Sequence, residues 1–176
     1  TCLKTAPENA VDWVYVEIRS DEKTVVRGES MFLLSDGNVV SSKDETRANF
    51  YNLSEGNYFV VIRHRNHLEI MSKFPVPLVQ SGDSSVDLTV KDNAYGENAL
   101  KELAPGICGM YAGDINQDGE IATTDFEIWY NAFLAGESGY KSSDVNLNGE
   151  ISTADFEIWC NNFLGGASSQ VPDVPQ

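Results

Sequence analysis

The sequence predicts a mainly β chain with a small α module: an antiparallel β-sandwich, Ig-like or Greek key, followed by paired loop–helix units. Two observations predict it. Between Val11 and Val90, short β-branched and aromatic runs recur about every ten residues, separated by turn residues and without a helical period. Between Gly113 and Leu164, the chain carries one sequence twice. Asp114 to Leu134 and Asp144 to Leu164 align without a gap, and each closes on an Asp that begins an amphipathic run.

Taken in order, Asp12 to Arg19 alternates, with Trp13, Tyr15 and Glu17 on one face and Val14, Val16 and Ile18 on the other. Lys23 to Arg27, Ser30 to Leu34 and Asn38 to Val40 read as strands. Asp36-Gly37 supplies the hairpin turn before the last of them, because Gly tolerates the positive φ such turns need. Arg47 to Leu53 is a further candidate. After the turn at Glu55 to Asn57 come Tyr58 to Arg65, Leu68 to Met71, Val76 to Val79 and Val86 to Val90. Asn98 to Leu103 reads as a turn or two of helix, broken by Pro105-Gly106. The expected division is a sandwich over 1–95, a connector over 96–112, the duplicated module over 113–166 and a loose or extended Gly/Ser/Pro-rich tail over 167–176.

The spacing of oxygen side chains in the repeat points to calcium. This hard cation takes six to eight oxygens, from alternating side chains, one backbone carbonyl and a closing carboxylate. The first copy offers Asp114, Asn116, Asp118, the Glu120 carbonyl and Asp125. The second offers Asp144, Asn146, Asn148, the Glu150 carbonyl and Asp155. Gly119 and Gly149 stand where the loop must bend. Two ions are expected. The first site has three carboxylates and the second two, so the first should bind more tightly. Ile121 and Ile151 are expected to pair the two loops. Ala122 and Ser152 stand at the position after these, and Ala122 has no side-chain oxygen to hold a water ligand.

No helical pattern precedes either loop, so each unit reads as half an EF-hand. The exiting helices carry Phe126, Trp129, Phe133, Leu134 and Phe156, Trp159, Phe163, Leu164 at helical spacing. Neither can bury that stripe alone, so the copies should pack on each other about a pseudo-twofold axis.

Paired half EF-hands of duplicated sequence resemble the dockerin modules of cellulosomes and other secreted bacterial assemblies, over Gly113 to Leu164. The resemblance implies a cohesin-like partner, contacted at the positions just before the closing Asp, here Thr123, Thr124, Thr153 and Ala154. Upstream, Val11 to Arg19, Leu53 to Met71 and Tyr95-Gly96 resemble a β-sandwich module of large secreted or surface proteins of environmental bacteria. That likeness implies a secreted or cell-surface structural role without enzymatic activity.

A formal net charge of −15 argues against nucleic acid or anionic membrane as partner. No run approaches the length of a membrane span. The chain begins Thr1-Cys2-Leu3 without Met, as a processed or excised fragment would. Three cysteines, Cys2, Cys108 and Cys160, leave at least one thiol unpaired, and Cys108–Cys160 is the expected disulfide if one forms. Arg63-His64-Arg65-Asn66-His67 is the one cluster with catalytic potential. Its positions on and after a strand read better as a hydrogen-bonding corner, and no Ser-His-Asp order, nucleophile elbow or P-loop is present. Asn52-Leu53-Ser54 fits a glycosylation sequon. The functional expectation is a secreted, non-catalytic, calcium-binding assembly protein. The alternatives are the repeating subunit of a filament or surface layer, built by exchange between neighbouring copies, and a carbohydrate-binding sandwich using Trp13 and Tyr15.

Overall fold

The computed structural model of the chain describes residues 6–42, 46–80 and 84–175. Cys2 and its pairing lie outside them.

Six strands form one antiparallel sheet: β1 (Ala10–Arg19), β2 (Val25–Leu34), β3 (Val39–Ser41), β4 (Gly56–His64), β5 (His67–Met71) and β6 (Val76–Leu78). The order is β3-β2-β1-β4-β5, with β6 pairing the start of β4. Three hairpin-connected strands with the fourth returning beside the first are the Greek-key arrangement. β1 lies centrally, and its alternation decides which face is the core. Val14, Val16 and Ile18 are buried with Met31, Val60, Ile62, Ile70 and Val76.

The second layer is smaller than a full sheet. It consists of the hairpin β7 (Lys101–Ala104) and β8 (Ile107–Gly109) with the chain leading to it. Ala99, Leu100 and Cys108 from this segment join the main core, while Tyr111 and Ala112 pack with the duplicated module. The helical turn expected over Asn98 to Leu103 is replaced by β7, because Gly106, at φ +76, closes a tight hairpin to β8.

Three strand expectations change. Lys23 to Arg27 and Ser30 to Leu34 are parts of one strand, β2. Gly28 within it reads as a break, yet the Tyr15 ring lies over it, and a Cβ there would stand 2.1 Å from the Tyr15 hydroxyl oxygen. Close approach of a neighbour is one reason for glycine inside a strand. Arg47 to Leu53 is not a strand, and Asn52 turns the chain at φ +60. Val86 to Val90 forms no ladder either. Asp87 accepts both the amide and the hydroxyl of Thr89, a local turn that competes with strand pairing. Its apolar residues Val86 and Leu88 still pack on the core.

The opposite face of the sheet carries a charged network. Arg19, wholly buried, donates to Glu17 at 2.9 and 3.1 Å, and Arg63 bridges Glu17 to Glu69. The tail covers this network. Val171 packs with Val61 and Met71, the Pro172 carbonyl accepts from Arg19 at 2.8 Å, and the Ser169 hydroxyl bonds Glu69. The tail is therefore docked on the sheet through Pro172.

Cys108 and Cys160 are both free. The first lies in the sheet core and the second on the second helix, which overturns the expected bridge between them.

The helices are α1 (Thr123–Leu134) and α2 (Thr153–Leu164). Their N-terminal halves meet through aromatic pairs related by the repeat: Phe126 with Trp159 at 5.3 Å, Trp129 with Phe156 at 5.3 Å, and Phe126 with Phe156 at 5.9 Å. Trp129 and Trp159 are buried, but Phe133, Leu134, Phe163 and Leu164 are exposed. The apolar stripe is thus only half used for core. Ala132 and Asn162 are buried in place of its last turn.

Candidate calcium loops and their seat on the sheet

Each loop is wound around its closing aspartate. Asp125, fully buried, accepts from the backbone amides of Ile115 at 2.7 Å and Asn116 at 3.1 Å with one oxygen, and from Ala122 at 2.8 Å with the other. Asp155 repeats this with Val145, Asn146 and Ser152 at 2.9, 3.2 and 2.8 Å. Asp114 accepts from Asp118 and Gly119, and Asp144 from Asn148 and Gly149. The backbone repeats too. Gln117 and Leu147 are left-handed at φ 61 and 63, Gly119 and Gly149 at φ 87 and 85. A left-handed residue other than Gly is uncommon, and neither Gln117 nor Leu147 carries a sequence signal for it.

Buried carboxylates cost free energy unless a cation or sufficient donors accompany them. Ion pairs among the described residues lie elsewhere. Burial, reinforced by the neighbouring charges of Asp125 and Asp118, pushes Asp114 up to about 6.

The oxygen donors fit a hard divalent cation, and Asp114, Asn116, Asp118, Asp125 and the Glu120 carbonyl would hold it in the first loop. Asp144, Asn146, Asn148, Asp155 and the Glu150 carbonyl would do so in the second. The side chains are not gathered into a finished cluster. No group of three or more His, Cys, Asp or Glu among the described residues is arranged to hold a metal. Asp118 instead accepts from Glu120 and from the Asn116 amide, and Asn148 accepts from Glu150.

Ile121 and Ile151 do not pair with each other. Glu120 bridges Ser168, and Glu150 bridges Ser138. The chain leaving each helix thus pairs with the loop of the other copy, and the crossed connection ties the two units together. Ser169 donates to the Gly119 carbonyl at 2.7 Å, and Gly139 to the Gly149 carbonyl at 2.8 Å. The copies differ at the helix start. The Ser152 hydroxyl accepts from Ala154, whereas Ala122 has no side-chain oxygen to offer. They also differ at the tryptophans. Trp159 Nε1 donates to the Ala122 carbonyl at 3.2 Å, while the buried Trp129 Nε1 finds no partner. Thr123, Thr124, Thr153 and Ala154 are all exposed at the helix N-termini.

The Arg63-to-His67 cluster is the seat of the second loop. Asn66, wholly buried, donates to the Ser142 carbonyl at 2.9 Å and the Asp144 carbonyl at 2.7 Å, and its own carbonyl accepts from Gly113. Arg65 lies over the Tyr140 ring at 4.3 Å and donates to the Lys141 carbonyl. Asp12 gathers the Tyr140 hydroxyl at 2.8 Å, Arg65 at 3.0 Å and His64 at 3.2 Å. Burial alone would raise Asp12. The Trp13 amide, Tyr140, His64 and Arg65 together hold it below its usual value. Burial, with the charges of His64 and Arg65, pushes His67 down to about 3. Both histidines are thereby kept neutral at ordinary pH, as members of a structural corner.

No helix among the described residues is long and apolar enough to cross a membrane. No curated protein matches the chain. A solved type II cohesin–X-dockerin complex from Acetivibrio cellulolyticus, an N-terminal interface mutant, is similar over 90% of this chain and 87% of that chain, at 24% identity and a TM-score of 0.46. Over residues 112–164 the chain matches the model of the dockerin type I domain, a non-catalytic assembly domain.

Proposed function

We propose that the chain is a secreted bacterial assembly protein, in which two calcium ions order the 113–166 module for docking onto a cohesin-like partner. The observation that carries this reading is the pair of buried, aspartate-closed loops. Each is cross-connected to the other copy, and each lies at the start of a helix whose last turn is exposed. Ile128, Tyr130, Phe133 and Leu134 of α1 and Phe163 and Leu164 of α2 present apolar side chains to solvent. Thr123, Thr124, Thr153 and Ala154 lie at the other end of the same helices. The sheet body acts as a seat, because Asn66 fixes the carbonyl of Asp144 itself. The tail is engaged within its own chain through Pro172, which favours docking to a partner over strand exchange between copies.

The test is capture of an immobilised cohesin module by the full chain, with calcium and with chelator. Retention in calcium that is lost on chelation is the expected result. Equal retention in both, or none in either, would overturn the reading. Calorimetry of Asp125→Asn and Asp155→Asn chains ranks the sites. The Asp114–Asp125 loop should bind calcium more tightly, since it has three carboxylates against two.

One observation favours a sugar ligand as a second reading. Trp13 and Tyr15 stand on one sheet face, 41% and 42% exposed. Binding of the chain to a glycan array, lost in Trp13→Ala, would support it.

A further inference from the structure

The two loops differ at one ligand position in a way that has a chemical consequence. Where the first copy has Asp118-Gly119, the second has Asn148-Gly149, the single Asn-Gly pair in the sequence. Asn-Gly is the dipeptide most prone to cyclise on itself, because glycine has no Cβ to hinder approach of its nitrogen to the asparagine side chain. Here Asn148 is exposed, and nothing lies within 4 Å of the place a Gly149 Cβ would occupy.

Hydrogen bonds hold the reacting atoms apart from this chemistry. The attacking nitrogen, Gly149 N, donates its proton to Asp144 Oδ2 at 2.9 Å. The amide to be attacked is pinned as well, since Asn148 Oδ1 accepts from the Glu150 amide at 2.8 Å. Asn148 N donates to Asp144 Oδ1 at 3.1 Å, which fixes the intervening backbone. Cyclisation needs the Gly149 nitrogen deprotonated and free to turn, and the adjacent Asp144 carboxylate opposes both.

We infer that Asn148-Gly149 is a spontaneous modification site that closure of the second loop holds in check. When the loop opens, Gly149 N attacks Asn148 Cγ. The new C–N bond closes a succinimide ring, and the side-chain nitrogen leaves as ammonia, taking up the proton lost by Gly149. Water then opens the ring at either carbonyl. Opening at the backbone carbonyl yields isoaspartate, and opening at the side-chain carbonyl yields aspartate. The net change is amide plus water to acid plus ammonia, with no oxidation or reduction.

The two products act in opposite directions. Aspartate reproduces the ligand set of the first copy and gives the second loop its third carboxylate. Isoaspartate inserts a methylene into the backbone between the Asp144 and Glu150 positions and spoils the loop. Loss of the closing cation thus exposes the second loop to deamidation, an irreversible change in its ligand set that Asp118 in the first loop, having no side-chain amide, does not undergo.

The inference rests on calcium as the closing cation, so its test reads both. The full chain is incubated at mildly alkaline pH with calcium, with chelator, and in urea. Tryptophan fluorescence follows calcium binding, and peptide mapping follows acid formation at Asn148. Opening requires two or three hydrogen bonds to break, so calcium should slow the reaction at Asn148 by about tenfold or more relative to chelator. The chelated and urea rates should lie close together, and Asn148→Gln should remove the signal. A fluorescence response to calcium with equal rates in both conditions would overturn the inference and leave the calcium reading standing. No calcium effect on either quantity would overturn both.

Discussion

The sheet body and the duplicated module are held together by opposite means. Among the fully buried side chains of the sheet are Ile18, Met31, Val40 and Val61, whose transfer from water is favourable in any ionic condition. The module buries Asp125 and Asp155 just as completely, at the centres of its loops. Its apolar clusters are small, with Trp129 against Ala112, Ile115 and Val145, and Trp159 against Ile121 and Leu68 of the sheet. The sheet rests on an apolar face beside the paired charges of Arg19 and Glu17, whereas the module gathers negative charge that an added cation would relieve. On the proposed reading, calcium would act as a structural staple and not as a signal that opens a helix pair, since no helix leads into either loop among the described residues.

Removing the closing aspartate should have the largest effect and should divide the two regions. Asp125→Ala strands three backbone amides, those of Ile115, Asn116 and Ala122, and should cost the module roughly 4 kcal/mol. Urea unfolding followed by tryptophan fluorescence would show an early transition of the module ahead of the sheet. A single unshifted transition would erase the distinction. Ile18→Ala is the converse probe. It should cost the sheet about 3 kcal/mol through lost burial and a residual cavity, with calcium affinity little changed. A large fall in affinity would mean that the seat formed by Asn66 and Arg65 transmits sheet damage to the loop.

Acid should act at the boundary between the regions. His67 is depressed to about 3 from an ordinary value of 6.5, and His64 is depressed by burial, with the Asp12 carboxylate opposing. The unfolded chain binds more protons there, so stability rises with pH across this range. The contribution is complete above about 6.5 and is lost as pH falls toward 3. Melting from pH 7 to 4 should show the decline, and His67→Asn should flatten it. The smallest effect sharpens the contrast between the two copies. Ala122→Ser gives α1 the cap that α2 already has and should stabilise the module by about 0.5–1 kcal/mol, read as a rise in the melting temperature in calcium.

Much of this was legible in the sequence because the repeat states it twice. The two aspartate-closed loops, their turns at Gly119 and Gly149 and the helices that leave them all follow from residue type and spacing. The alternation of β1 likewise separated its two faces, and packing made the Val14, Val16 and Ile18 face the core. What escaped depends on contacts distant in sequence. Gly28 reads as a break until Tyr15 is seen lying over it. The crossed pairing of Ser168 with Glu120 and of Ser138 with Glu150 carries no local pattern, so pairing of the isoleucines was the natural expectation. The tail is Gly- and Ser-rich, yet its Val171 and Pro172 find a hydrophobic patch and a buried arginine. The Arg63-to-His67 cluster shows its role only once Asn66 is placed beneath Asp144.

Amide hydrogen exchange with calcium and with chelator, resolved along the chain, tests the difference between the two regions most directly. Protection across 113–166 should fall by orders of magnitude on chelation, while β1, β2 and β4 retain theirs. An equal loss in both regions, or no loss in the module, would contradict the account.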